Sequence, residues 1–238
     1  MRTLRPNRLL TLAFGLLLPL VVTACSSATN EAGDATIEEI LSRSSSAMAK
    51  VETARFAIEQ TGAAVYIDQA EQIQFSGATA RFAAPSSADA LIGVTAFGLS
   101  TEVGAVAIDG EIWITNPLTG KWEAAPEGLS FDPTVLFAVD TGWAAVLSGG
   151  LQAPVLVTEE GDTDERHHVR STVEANRVST LTGGLVNESS TLDLWIDAET
   201  GLVDEASFDV ETGGGLTSWR LTVTNYDSDI TITKPDLS

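Results

Sequence analysis

The sequence predicts an α+β protein in which helices pack on one face of an antiparallel meander. Three observations carry that reading. From Thr53 onward most of the chain alternates apolar and polar residues with period two, the pattern of strands with one buried face. Turn-forming residues interrupt these runs at short, regular intervals, as in sheets built from hairpins. Two stretches, 36–51 and 131–150, change to helical spacing. The chain has 238 residues, which after loss of an export signal suits a single domain, and no solenoid repeat divides it.

Arg2, Arg5 and Arg8 open the chain, followed by an apolar run from Leu9 to Val22 and the small residues Thr23 and Ala24. A positive start, a short apolar stretch and a small-residue cleavage site make residues 1–24 a signal peptide. The run is shorter than the ~20 residues of a membrane-spanning helix, and Pro19 interrupts it. Cys25 follows Ala24 directly, which resembles the bacterial lipobox, where that cysteine is acylated and becomes the first residue of the mature chain. It is the sole cysteine, so no disulfide partner explains it. The alternative is a plain secretory signal with an incidental cysteine. Residues 25–35 read as the lipidated cysteine and a flexible tether, being small, polar and without periodicity, and 36–238 as the folded domain.

Charge narrows the partners. The formal net charge is −20, and the signal would remove three arginines and no acid. Nucleic acid and anionic head groups repel such a chain, so nucleic acid is excluded as a partner. Membrane attachment must then come from lipid on Cys25, for which two acyl chains suffice. That places the domain at the cell membrane, on its extracytoplasmic side. Apolar residues make up 44% of the chain, which demands a packed interior.

In chain order, Ile37, Ile40, Leu41, Met48 and Val51 give a helix over 36–51, with Thr36 as its cap and Glu38 and Glu39 in the first turn. Ala54, Phe56 and Ile58 then mark the inner face of a strand. Segments 64–83, 88–98, 101–109 and 111–115 continue the sheet, with Asp109-Gly110 as a tight hairpin turn. In 131–150, Asp132 caps a helix with Pro133 at its first position, and Leu136, Val139, Trp143, Val146 and Leu147 share one face. Gly142 splits this segment in two. Strands resume at 153–159 and 166–174, followed by a short helix at 175–182. Leu192, Leu194 and Ile196 line one further strand and Ala206, Phe208 and Val210 the next. Leu216–Asn225 and Ile230–Thr233 complete the sheet, which Lys234-Pro235 ends.

This order of pieces resembles the mycobacterial LppX/LprG-type lipoproteins, the LppX_LprAFG family. The most specific stretch is Asp132-Pro133 through Asp140-Thr141-Gly142 to Val146-Leu147, with support from ARFAIEQTG at 54–62, IDGEIWIT at 108–115, Lys121-Trp122 and ITITKP at 230–235. The resemblance implies an incomplete β-barrel, a strongly curved antiparallel sheet with helices covering its concave face. It also implies a cavity for the acyl chains of lipids or glycolipids and a role in carrying them across the envelope. No cofactor and no catalytic residue comes with it. The expected partners are the lipid or glycolipid ligand and the membrane, reached through acylated Cys25, and the reading admits a membrane transporter. Small residues at Ala90, Gly93, Ala96, Gly104, Ala105 and Ala107 would leave room for acyl chains on the concave face, although they suit a thin, filled core equally well. Candidate lining residues are Phe56, Ile58, Val94, Ala96, Val106, Leu136, Trp143, Leu147, Leu194 and Phe208.

Catalytic and metal chemistry find no constellation. His167 and His168 are strand neighbours pointing to opposite faces, and read as exposed polar residues without a shared metal. Glu159, Glu160, Asp162, Asp164 and Glu165 lack the spacing of a calcium loop and read as a solvated hairpin tip. Gly128-Leu129-Ser130 begins like a nucleophile elbow, but Asp132 stands where the closing glycine belongs. The leading function is a lipid-anchored lipid carrier, the second a surface lipoprotein that binds a protein partner and has no lipid cavity, and an acidic-loop hydrolase stands as a distant third.

Overall fold

The computed structural model describes residues 35–68, 70–126, 132–158 and 165–237. Cys25 with residues 1–34, Gly128-Leu129-Ser130, and Glu159, Glu160, Asp162 and Asp164 lie outside them.

Helix α1 (Ile37–Met48) begins with a capping box. The Thr36 hydroxyl accepts from Glu39 N at 3.3 Å, and a Glu39 carboxylate oxygen accepts from Thr36 N at 2.9 Å. Ile40, Ser44 and Met48 recur every four residues and, with Leu41, form its buried stripe. The helix stops three residues short of the expected Val51, which is buried on the way into the sheet.

The strands are β1 (Thr53–Gly62), β2 (Val65–Tyr66), β3 (Ile73–Ala83), β4 (Ser87–Ala96), β5 (Leu99–Ile108), β6 (Glu111–Thr115), β7 (Trp122–Ala124), β8 (Leu151–Val157), β9 (Arg166–Val173), β10 (Ser190–Asp197), β11 (Val203–Thr212) and β12 (Gly215–Thr224). They form one antiparallel sheet ordered β7-β6-β5-β4-β3-β1-β12-β11-β10-β9-β8, with β2 beside β3. The pairing of β1 with β12, which sets Phe56 opposite Val223 and Ile58 opposite Leu221, joins the two halves of the chain. Among the described residues the edges β7 and β8 do not pair, so the sheet stays an open half-barrel. Asp109 and Gly110, at φ 51° and 83°, make the tight turn between β5 and β6. Ile230–Thr233 is not a strand: the tail has no ladder partner among the described residues, although Ile230 is buried. Further on, Lys234 lies over the Trp113 ring at 4.4 Å and pairs with Glu111 at 3.4 Å.

Because β7 and β8 are opposite edges yet follow one another in the chain, the segment between them must cross the sheet. It does so as short pieces: a 3₁₀ turn at Pro133–Leu136, helix α2 (Trp143–Ala145) and a π turn at Val146–Gly150. The Asp132 carboxylate accepts from Thr134 N at 2.9 Å and starts the first piece. Gly142 separates the pieces, as its position in the sequence predicts. Val139 departs from expectation and is 59% exposed, because the 3₁₀ turn ends at Leu136 and breaks the helical phase. Phe137 takes the inward place instead and is buried. Helix α3 (Ala175–Leu181) follows β9 and buries Val178 and Leu181.

Candidate functional site

The covered face of the sheet supplies a floor. Opposed residues on adjacent strands place Val223, Phe56, Ala80, Ala90, Ala105 and Ile114 in one row across β12, β1, β3, β4, β5 and β6. Three successive alanines in that row leave the floor low beneath the cover. Phe137 stands at its edge, stacked on Phe82 at 4.5 Å between centroids and tilted against Phe56 at 5.7 Å. The other half of the face is filled with larger side chains: Trp219 stacks with Phe75 at 5.6 Å and Phe208 at 6.2 Å, beside Leu192, Leu194 and Leu221. Leu136, Phe137, Trp143, Val146 and Leu147 close over the floor, all within the same apolar cluster.

Eight of the ten candidate lining residues, Phe56, Ile58, Val94, Leu136, Trp143, Leu147, Leu194 and Phe208, belong to that cluster. Ala96 lies on the same face, half-buried at the far end of β4. Val106 is a correction. It pairs with Asp89, which faces Arg81, on the outer side of the sheet, whereas its neighbour Ala105 faces the core. Strand β5 buries Gly104, Ala105, Val106 and Ala107 consecutively, because Trp113 and Trp122 cover its outer face too. Alternation in the sequence therefore could not tell Val106 from Ala105. Phe137, Phe82 and Trp219 are central residues that the candidates omit. For Trp219 the signal was present, since it alternates with Leu221 and Val223.

The apolar face contains a few polar atoms. Gln60 donates to Thr217 Oγ1 at 2.7 Å and to the Ala63 carbonyl at 2.7 Å. Ser44 Oγ, Trp143 Nε1 and Trp219 Nε1 are buried without a hydrogen-bond partner among the described residues. Tyr226 donates to the Val203 carbonyl, and burial pushes its hydroxyl well above the usual pKa. The two histidines do diverge: His167 opposes Ile196 on the core face and His168 opposes Trp195 on the outer one. His168 is buried rather than exposed, stacked on Trp195 at 4.5 Å with Nε2 2.7 Å from the Asp193 carboxylate. Burial, with a smaller effect of Arg43, lowers the His167 pKa. Two hollows open on the outer face. One, of about 1100 Å³, is lined by polar groups including Arg170, Asp193, Ser207 and Arg220; the other, of about 580 Å³, lies beside Val106, Gly104 and Trp122. Among the described residues, no cluster of three His, Cys, Asp or Glu is placed to hold a metal, and no helix is long and apolar enough to cross a membrane.

Comparison with known proteins agrees with this architecture. A family profile described as LppX_LprAFG lipoprotein matches residues 36–232. The fold is similar to that of LprF from Mycobacterium bovis, with a TM-score of 0.62 and 15% identity over 84% of this chain and 96% of that one. It is also similar to the lipoprotein LppX of Mycobacterium tuberculosis, with a TM-score of 0.56 and 16% identity over 84% of this chain and 100% of that one. No curated protein matches by sequence.

Proposed function

The chain belongs to the LppX_LprAFG lipoprotein family, and from that premise we propose that it is an envelope lipid carrier, anchored through acylated Cys25. Acyl chains of a lipid or glycolipid would lie between the sheet floor and the 132–150 segment, with the head group at the rim. The observation that carries this reading is the pairing of an alanine floor, Ala80, Ala90 and Ala105, with a cover made of short, broken turns rather than a continuous helix. Such a cover can lift piecewise, and Phe137 fills space that an acyl chain would take. Removing hydrocarbon from water supplies about 0.8 kcal/mol per methylene, enough to hold a long chain reversibly without a covalent step. Trp143 Nε1, on the cover, is a buried donor with no acceptor among the described residues, a need that an ester carbonyl oxygen would meet.

The test is native mass spectrometry of protein purified without detergent, comparing the parent with Ala90→Trp. Lipid bound to the parent and lost from a variant that melts normally supports the carrier. A parent that carries no lipid, with a variant that overpacks its core and loses roughly 1–3 kcal/mol, means a filled interior and favours the surface lipoprotein that binds only proteins.

A further inference from the structure

Strands β4 and β5 are joined by a two-residue turn, Phe97-Gly98, with Ala96 opposite Leu99. Both turn residues have positive φ, 53° and 77°. Such turns favour Asn-Gly or Gly-Gly, and a bulky side chain in the left-handed region is a genuine outlier. The Phe97 ring gains no packing in return. It is 87% exposed and Leu99 is 73% exposed, and a Cβ placed on Gly98 would meet nothing within 4 Å. From Ala96 to Thr101 the tip bears no charge. Behind it, Leu99, Ala96 and Ile73 stand opposite one another on the face that carries Val94 and Phe75, so an apolar strip runs from the tip toward the core.

We propose that this hairpin tip is a membrane-insertion point, with Phe97 and Leu99 seated among the acyl chains of an uncharged bilayer surface. A protruding turn with two large apolar side chains suits a lipid phase. Four residues fall far short of the ~800 Å² per partner that a stable protein interface buries. The acidic chain, with Asp68 and Glu71 on the neighbouring turn between β2 and β3, disfavours anionic lipid, so the surface is zwitterionic. The inference rests on the carrier reading in that a carrier must touch the membrane whose lipid it takes.

Placing p-benzoylphenylalanine at position 97, and separately at Leu118, tests it in the membrane-anchored protein reconstituted in phosphatidylcholine vesicles. Leu118 is a fair control, being 93% exposed on a different turn. Neither side chain is packed, and circular dichroism checks the fold of each variant. The expected result is photocrosslinking to lipid at least tenfold stronger from position 97 than from position 118. Equal labelling would mean that anchoring alone brings both near the membrane, and would overturn the proposal. Crosslinks from position 97 to a second copy of the chain, or none, would overturn it as well. Phe97→Ser with Leu99→Ser should also slow lipid transfer between vesicles by at least tenfold while bound lipid, measured by native mass spectrometry, is unchanged. Lipid carried by the parent without crosslinking at 97 sinks the tip alone; crosslinking in a parent that carries no lipid sinks the carrier alone.

Discussion

At the scale of single residues, Gly142 is the most constrained position of the cover. A Cβ there would stand 2.3 Å from the Leu136 carbonyl oxygen and 2.7 Å from that of Val135, both main-chain atoms that cannot swing aside. Gly142→Ala should therefore destabilise by about 1–3 kcal/mol, read from urea midpoints, through overpacking rather than backbone strain. Asp197 offers a pH test. Its carboxylate accepts from the Thr200 hydroxyl at 2.7 Å and from Thr200 N at 2.6 Å, and these bonds, the hydroxyl's first, hold its pKa below the usual value. A lowered native pKa stabilises fully above the ordinary carboxylate range and is lost as pH falls through the native value. Asp197→Asn should accordingly cost at most about 1 kcal/mol at neutral pH, in a partly exposed turn, and the gap to the parent should close as pH falls below the ordinary carboxylate range through the lowered native value. Residue facing was legible from alternation where one side of a strand meets water, as at Phe56 and Ile58. It was lost at Val106 because both sides of β5 are covered.

Among the elements, α1 was readable almost to its ends, since its cap, its acidic first turn and its buried stripe are all local signals. Thr36→Ala removes the hydroxyl half of the capping box and should lower stability by about 1 kcal/mol in thermal or urea melts. The cover was harder to read. Asp132, Pro133 and Gly142 announce its start and its break, but 3₁₀ and π turns carry no steady period, so inward Phe137 and outward Val139 could not be assigned from spacing. The Ile230–Thr233 alternation imitates a strand because one side of a docked tail is also buried. Hydrogen-bond partners, which the pattern cannot see, make the difference.

Across the whole molecule, the antiparallel character of the sheet followed from dense hairpins and its openness only from the family resemblance, whereas the β1–β12 junction followed from neither, because no local residue signals a pairing across most of the chain. The anchor is tested by Cys25→Ser. With a net charge of −20 and no membrane-spanning helix among the described residues, the variant should leave the membrane fraction on cell fractionation; full retention would refute acylation as the anchor. The edge-to-edge course of the cover has a mechanical consequence. Its last turn runs directly into β8 and the chain leading to its start comes from β7, so the cover is tied covalently to the two strands that have a neighbour on one side only. Amide hydrogen exchange should register this as paired behaviour: Trp122–Ala124 and Leu151–Val157, although on opposite margins of the sheet, should exchange at correlated rates and gain protection together when the interior is occupied.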